Sequence, residues 1–439
     1  MGTARVALRT RGARRTGDAG AALRSLAKGA DRVVAMRVRG QRVLLLIDPS
    51  LVSLLLVDHA ADTVKGPGVQ LTRRLLGNGL LTSEGDDHRR ARRLVAPAFS
   101  PRRLELYVDA FASRAAVRAD SWTDGQILDM HDEMGALTLD IVGRTLLGID
   151  LADDASGIRV ALEGALAEFA RTNVGVASRG FGRAPAAATL LATAVPPEVS
   201  AIHGIVDGIV DGRRATRSDD RGDVVSALLA ATEGPDGLSA AEVHDHVITL
   251  LMAGHETTAN ALAWTLHLVG RHPEVLAQLQ SELASLEGRL PRFADLPGLR
   301  YTRAVVSEAM RLYPPAWLIG RTLTSDVSFA EWDAPAGTVV GVSPLLLHHD
   351  PRSFPAPEVF DPGRWLDARA ETVPRHAYLP FGTGPRACIG EQFAWAEAVT
   401  VLAVLAGRWS FASDPAHVVT SQYRVTLRPG NGVPVRVTR

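Results

Sequence analysis

The single cysteine of this 439-residue chain sits where a sulfur could do chemistry. It belongs to the string Phe381-Gly382-Thr383-Gly384-Pro385-Arg386-Ala387-Cys388-Ile389-Gly390. Glycine and proline at that density make a tight turn rather than a helix. A helical pattern begins just after it, so free backbone N–H groups around Ile389, Gly390 and Glu391 can point at the sulfur. The positive end of that helix acts in the same direction. Both effects favour the thiolate, and the expectation is a lowered thiol pKa. Phe381 can shield the sulfur from water, and Arg386 offers a fixed cation to a nearby anion. Such a sulfur serves as a nucleophile or as a metal ligand. A nucleophile needs a base beside it and open access; the rigid loop and flanking ring suit a ligand. An inert buried cysteine at a helix start is the third reading.

Other constellations carry polar groups where the local pattern resists them. Ala253-Gly254-His255-Glu256-Thr257-Thr258 lies mid-way along a long apolar helical stretch, 239–270. A Gly and two Thr there are locally unfavourable, which points to a groove or bulge serving function. An acid beside an alcohol, Glu256 and Thr257, can relay protons. His255 reads as a structural hydrogen-bonder. Asp86-Asp87-His88-Arg89-Arg90-Ala91-Arg92-Arg93 opens another helix. His88 and Arg92, at i and i+4, face one side and suit a pair of carboxylates. Arg89, Arg90 and Arg93 point elsewhere, as a solvated face or a basic docking patch for an acidic partner. Glu308 and Arg311 share a helix face and can pair.

The elements that must position these groups are mostly helical. Two short strands, Val33–Val38 and Arg42–Ile47, flank a turn at Arg39–Gln41, and Asp48-Pro49 starts a helix as N-cap and N1. Apolar spacing of three and four predicts helices over 86–97, 101–122, 126–148, 154–174, 196–214, 221–233, 239–270 and 272–286. A helix over 296–313 stops at Pro314-Pro315. Strands follow near Thr322–Phe329 and Thr338–Val342. The stretch 351–385 holds seven of the 25 prolines and reads as an extended connection. A helix over Ile389–Ala406 and two or three terminal strands complete the chain. The order implies a mainly α fold with minor β: a basic, frayed segment 1–30 and one α-rich domain over 31–439 with small N- and C-terminal sheets.

Composition narrows the function. Lys+Arg and Asp+Glu are both 48, which excludes a chain-wide basic field for nucleic acid. One cysteine excludes a disulfide framework, a Cys-rich zinc site and a Cys-ligated iron–sulfur cluster. No run of 18 apolar residues offers a transmembrane segment.

The string Phe-x-x-Gly-x-Arg-x-Cys-x-Gly resembles the haem-binding signature of the cytochrome P-450 superfamily at all five fixed positions. The resemblance implies that Cys388 is the proximal ligand of a b-type haem (iron protoporphyrin IX), with Phe381, Arg386 and Gly390 in its binding loop. The thiolate's electron push then favours O–O cleavage. Glu308 and Arg311, followed by Leu312-Tyr313-Pro314-Pro315, are similar to the family's K helix. Phe360-Asp361-Pro362-Gly363-Arg364-Trp365 resembles the element whose Arg joins them in a buried network, with Gly363 where a Glu is usual. By the same resemblance Glu256 and Thr257 are the oxygen-activation pair. His88 and Arg92 contact the haem propionates, and Arg321, after Pro315-Ala316-Trp317-Leu318-Ile319-Gly320, contacts one too. The resemblance spans about residues 33–435.

It implies a monooxygenase that inserts one oxygen atom of O2 into an unactivated C–H or C=C bond. No Gly-rich dinucleotide fingerprint is present, so electrons should come from separate proteins, a ferredoxin and its reductase. Pocket candidates are Leu71, Leu80, Leu250, Ala253, Gly254, Ala316, Trp317, Leu318, Ile319 and Tyr423. They are mostly apolar and suit a lipophilic terpenoid or polyketide of secondary metabolism. Only two lysines, Lys28 and Lys65, accompany abundant Arg, Ala, Gly and Val, a bias of GC-rich bacterial genomes. A cytoplasmic monomer is the default expectation. The rivals are a peroxide-dependent haem-thiolate enzyme, a non-catalytic haem-binding protein and a Cys-nucleophile hydrolase. Peroxide-using relatives carry Arg-Pro at the acid–alcohol position, unlike Glu256-Thr257. A hydrolase would need a His and an acid converging on Cys388.

Overall fold

The computed structural model describes residues 19–38, 41–150, 197–216, 222–233, 236–329 and 332–439, with isolated positions between 158 and 167. The expected turn at Arg39–Gln41, most of the helix over 154–174 and the first eighteen residues of the basic segment fall outside the described residues.

Helices dominate, with small sheets at the periphery, as the sequence pattern implies. In chain order the helices used below are α1 (Ala19–Ala27), α2 (Pro67–Leu76), α3 (Gly85–Val95), α4 (Pro101–Asp120), α5 (Met130–Val142), α6 (Pro197–Thr216), α7 (Val224–Ala230), α8 (Ala240–Val269), α9 (Pro273–Leu283), α10 (Arg300–Leu312), α11 (Pro344–His348) and α12 (Glu391–Ala406). Local signals set several ends. The Asp48 side chain accepts from the Ser50 N–H, with Pro49 in the first turn. A full capping box, Ser239 with Glu242, opens α8.

Helix α8 runs unbroken through the core for 30 residues, about 45 Å at the usual rise. No bulge interrupts it at Gly254–Thr258. The Thr257 hydroxyl is instead absorbed by donating to the Ala253 carbonyl at 2.7 Å. Helix α5 crosses α8 closely: a Cβ on Gly254 would lie 3.3 Å from Leu146, just past α5, and 3.5 Å from Val142.

One sheet matters for the site. Its five strands run β1-β2-β8-β5-β3, namely Val33–Val38, Gln41–Leu46, Val339–Val342, Ile319–Leu323 and Thr63–Lys65. Only β2 and β8 are parallel. In the β3–β5 pair Lys65 stands opposite Arg321. The sequence reading merged β5 with β6 (Val327–Phe329), which pairs with β7 (Trp332–Ala334) in a separate two-stranded sheet. It also extended a helix over 126–148, where β4 (Ile127–Asp129) precedes α5. β4 lies beside β12 (Pro434–Thr438), which also pairs with β9 (Ser410–Ser413). A three-residue strand whose partner lies at the far end of the chain leaves no local period to read. β10 (Ser421–Tyr423) and β11 (Leu427–Pro429) form a hairpin.

Among the described residues no helix is long and apolar enough to cross a membrane.

Candidate active site

The cysteine loop is built by its glycines and by two cross-links. Gly382 and Gly384 adopt φ of 70° and 73°, open to glycine at little cost. A Cβ on Gly384 would overlap the Leu56 carbonyl, so no other residue fits there. The Cys388 N–H donates to the Phe381 carbonyl at 2.9 Å, and Ala387 N–H to Gly384 at 3.0 Å. Phe381 stands edge-on to Trp395 of α12, with ring centroids 5.6 Å apart. Arg92 of α3 donates to the Ala387 carbonyl at 2.8 Å.

Cys388 is exposed, yet enough protein packs around its sulfur to cost it solvation. Burial raises its pKa, opposed by the N–H of Gly390 and the charge of Arg92, with Glu391 adding to the rise. The expected lowering is thus corrected: the local helix-start donors are outweighed by the cost of charging a sulfur away from water. A thiol in this setting is a poor free nucleophile, whereas a bound metal ion deprotonates its thiol ligand outright.

Helix α8 presents a narrow accessible stripe. Every residue from His246 to Val269 is buried except Ala253, Gly254 and Thr257. These fall at i, i+1 and i+4, one face of the helix. Neighbouring polar side chains turn away. His255 shares a hydrogen bond with the Gly135 carbonyl of α5 at 3.1 Å, as a structural partner should. Glu256 is buried, and burial raises its pKa. The Thr426 hydroxyl opposes that rise, as do the charges of Arg428, His131 and Arg424. Thr426 in turn accepts from Asn260 at 3.1 Å. Thr426, between β10 and β11, carries no sequence signal linking it to Glu256; the hairpin alone brings them together.

Five basic side chains from four segments gather beside the loop: Lys65 at the end of β3, His88 and Arg92 on α3, Arg321 on β5, and Arg386. Burial lowers the Lys65 pKa to about 7, aided by Arg321 and Arg386 and opposed by Glu84. His88 is pushed down to about 3 by burial and then by Arg386, Lys65, Arg92 and Arg321. Arg321 falls to about 10, by burial and then Arg386, with Glu84 opposing. Lys65, His88 and Arg321 each suffer from their neighbours' charge. Glu84 opposes this for Lys65 and Arg321 and pairs with Arg386. Anions remain scarce beside these groups, and two carboxylates on a planar group would supply them. Haem carries that pair, and its iron would meet the Cys388 sulfur. The donor set therefore fits a haem whose propionates face Lys65, His88, Arg92, Arg321 and Arg386. Lys65 was missed in the sequence, although its rarity in an Arg-rich chain was a signal. Glu84 carried none.

The remaining expected residues distribute as follows. Leu80 and Leu250 are buried, while Ala316 and Leu318 are exposed. Ile319 reaches within 3.9 Å of the place a Gly382 Cβ would occupy, tying the segment after α10 to the cysteine loop. Trp317 donates its indole N–H to Arg424 at 3.0 Å and packs edge-on to Tyr423 at 5.3 Å. Tyr423 also abuts Gly20 of α1, where a Cβ would overlap its ring. Leu71 lies on α2 with its side chain outside the described set.

Below the site the expected network forms. Arg311 grips Glu308 with two donors at 2.8 Å, both residues fully buried. Arg364 and Trp365 donate to the same carboxylate at 3.1 and 2.9 Å. The remaining Arg311 donors meet the carbonyls of His348, Pro357 and Val359. The basic patch on α3 is less open than expected: Arg89 pairs with Asp86, and Arg90 with Glu242. Arg93 is exposed.

Comparison with known proteins identifies the family. The family model described as Cytochrome P450 matches residues 13–432. The chain is 39% identical to "Cyclooctatin synthase" of Streptomyces melanosporofaciens, over 91% of this chain and 87% of that protein. It is 35% identical to "Pentalenene oxygenase" of Streptomyces avermitilis, over 84% and 81%. The fold superposes on a crystal structure of a cytochrome P450 heme domain, P450DA, with TM-score 0.82 and 27% identity, covering 94% of this chain and 90% of that one. The chain belongs to the cytochrome P450 family of haem-thiolate monooxygenases.

Proposed function

We propose that this enzyme binds haem b through Cys388 and oxidises a cyclic terpenoid hydrocarbon or alcohol of bacterial secondary metabolism. Electrons arrive from a separate ferredoxin and its reductase, and residues 31–439 work as one haem domain in a cytoplasmic monomer. The reading of the substrate rests on the accessible stripe of α8: Ala253 and Gly254 offer no polar side chain, and Leu250 lies one turn before them on the same helix. The names of the two relatives support a terpenoid over a polyketide.

The chain's own residues divide the work. The haem, when bound, supplies the iron at which dioxygen is reduced and split. Cys388 holds the iron, and the Gly390 N–H steadies its charge. Lys65, Arg92, Arg321 and Arg386 would neutralise the propionates, and the neutral His88 ring would offer them a hydrogen bond. Thr257 faces the reaction space and can pass a proton. Glu256 is the supplying acid: burial raises its pKa, which favours the protonated carboxyl, and the Thr426 hydroxyl opposes that rise. The exposed Arg93 face suits an acidic electron donor.

The test is turnover under labelled dioxygen with a plant-type ferredoxin, its reductase, NADPH and a panel of cyclic terpenes. The reading expects one labelled oxygen per product and no turnover without the redox proteins. Turnover by the isolated chain with NADPH alone, or product formed only with peroxide, would overturn it.

A further inference from the structure

Glu84 poses a problem of charge. It lies between the cations that would hold the propionates, where a third carboxylate should repel the two that arrive. Its bonds explain its presence. One carboxylate oxygen accepts from the Lys65 backbone N–H and from the Gln70 side chain at 3.1 Å. The other accepts from Arg386, whose second arm donates to the Ser83 carbonyl at 2.7 Å. Glu84 is also the N-cap residue of α3, which carries His88 and Arg92. One side chain thus ties together the end of β3, helix α2, the start of α3 and the cysteine loop. These four segments bear every cation of the cluster except Arg321, and Arg321 is held by its register opposite Lys65.

We infer that Glu84 is a positioning residue for the haem site: it sets the cysteine loop against the cation-bearing elements before and while the cofactor is bound. Arg386 serves that clamp first, with two of its arms committed to residues 83 and 84. The inference rests on the haem reading of Cys388. It differs from a charge account in sign. If Glu84 acted by charge, its neutral amide would ease the approach of two propionates and tighten haem. As a clamp, its loss frees Arg386 and loosens the loop.

The experiment follows haem transfer from the holoenzyme to excess apomyoglobin, for the wild type, Glu84→Gln, Arg386→Gln, the double variant and Glu84→Asp. A charge-assisted bond of this kind supports an effect of about tenfold on haem loss. The clamp predicts that both single variants lose haem about tenfold faster. The double variant should be no faster than Arg386→Gln alone, since that change already removes the interaction with Glu84. Glu84→Asp, which keeps the carboxylate, should recover part of the loss. Slower haem loss in Glu84→Gln, or additive effects in the double variant, would overturn the inference. Failure of the wild type to take up haem at all would instead refute the underlying haem reading. The carbon monoxide spectrum of each loaded variant separates loop loosening from unfolding. A clamp variant that still holds haem should show a larger share of the shorter-wavelength band, and an unchanged spectrum with unchanged loss contradicts the clamp.

Discussion

Two ionic clusters of the described residues differ in how fully their cations are partnered. Around Glu308 two guanidinium groups outnumber the one carboxylate, but their arms find acceptors. Arg311 and Arg364 share one carboxylate, Trp365 adds a donor, and backbone carbonyls take the remaining guanidinium arms. Beside Cys388 the partnering stays open: Lys65, His88, Arg92, Arg321 and Arg386 face Glu84, and burial with mutual repulsion lowers the proton affinity of Lys65, His88 and Arg321. A buried charge is costly unless paired. The well-partnered cluster therefore belongs to the fold, and the sparsely partnered one to a ligand that brings negative charge. Like charges placed opposite in a strand pair, as Lys65 and Arg321 are, make no sense as stabilisation.

Substitutions should separate the two clusters by opposite effects. Glu308→Gln removes the carboxylate that both arginines share. It should destabilise by about 3–5 kcal/mol, the usual cost of breaking a buried pair. Denaturant unfolding of the apoprotein measures it, and a loss under 1 kcal/mol would dissolve the contrast. Arg321→Met, in the open cluster, should leave the apoprotein as stable as before or more so. The same change should weaken haem retention about tenfold, roughly one charge-assisted bond. A destabilised apoprotein with unaltered haem loss would reverse the assignment.

pH gives a subtler contrast. Both Lys65 and His88 have folded pKa values below their unfolded ones, so the unfolded chain binds more protons between the two values. Apoprotein stability should then rise with pH across about 7 to 10 through Lys65, and across about 3 to 6.5 through His88. Loading haem should flatten the upper rise, because propionates favour charged Lys65. Thermal unfolding against pH, with and without haem and with Lys65→Met, reads it. Smallest is Thr426→Val. Losing the hydroxyl that favours the charged carboxyl should push Glu256 further up, moving the pH profile of product formed per NADPH to higher pH. An unmoved profile would remove Thr426 from the acid's surroundings.

What the sequence made legible follows the same divide. The cysteine loop, the middle of α8 and the pair on α10 are local patterns, readable from spacing along one turn or one helix face. Lys65 and Glu84 are not: strand pairing carries Lys65 to Arg321, and a side-chain clamp carries Glu84 to Arg386. Thr426 reaches Glu256 only through the closing hairpin. The reading of the thiol failed for a related reason. Helix-start donors are visible in a sequence, but the desolvation that outweighs them depends on everything packed around the sulfur. The pairing of Arg90 with Glu242 was illegible because the two meet only in the folded chain, whereas Asp86 and Arg89 are three apart on one helix.

The central claim is that Cys388 binds haem iron through its sulfur, and the carbon monoxide difference spectrum of the reduced, purified protein tests it most directly. The account predicts a strongly red-shifted Soret band that Cys388→Ser abolishes. Absence of haem, or haem showing only the shorter-wavelength band in the wild type, would contradict it.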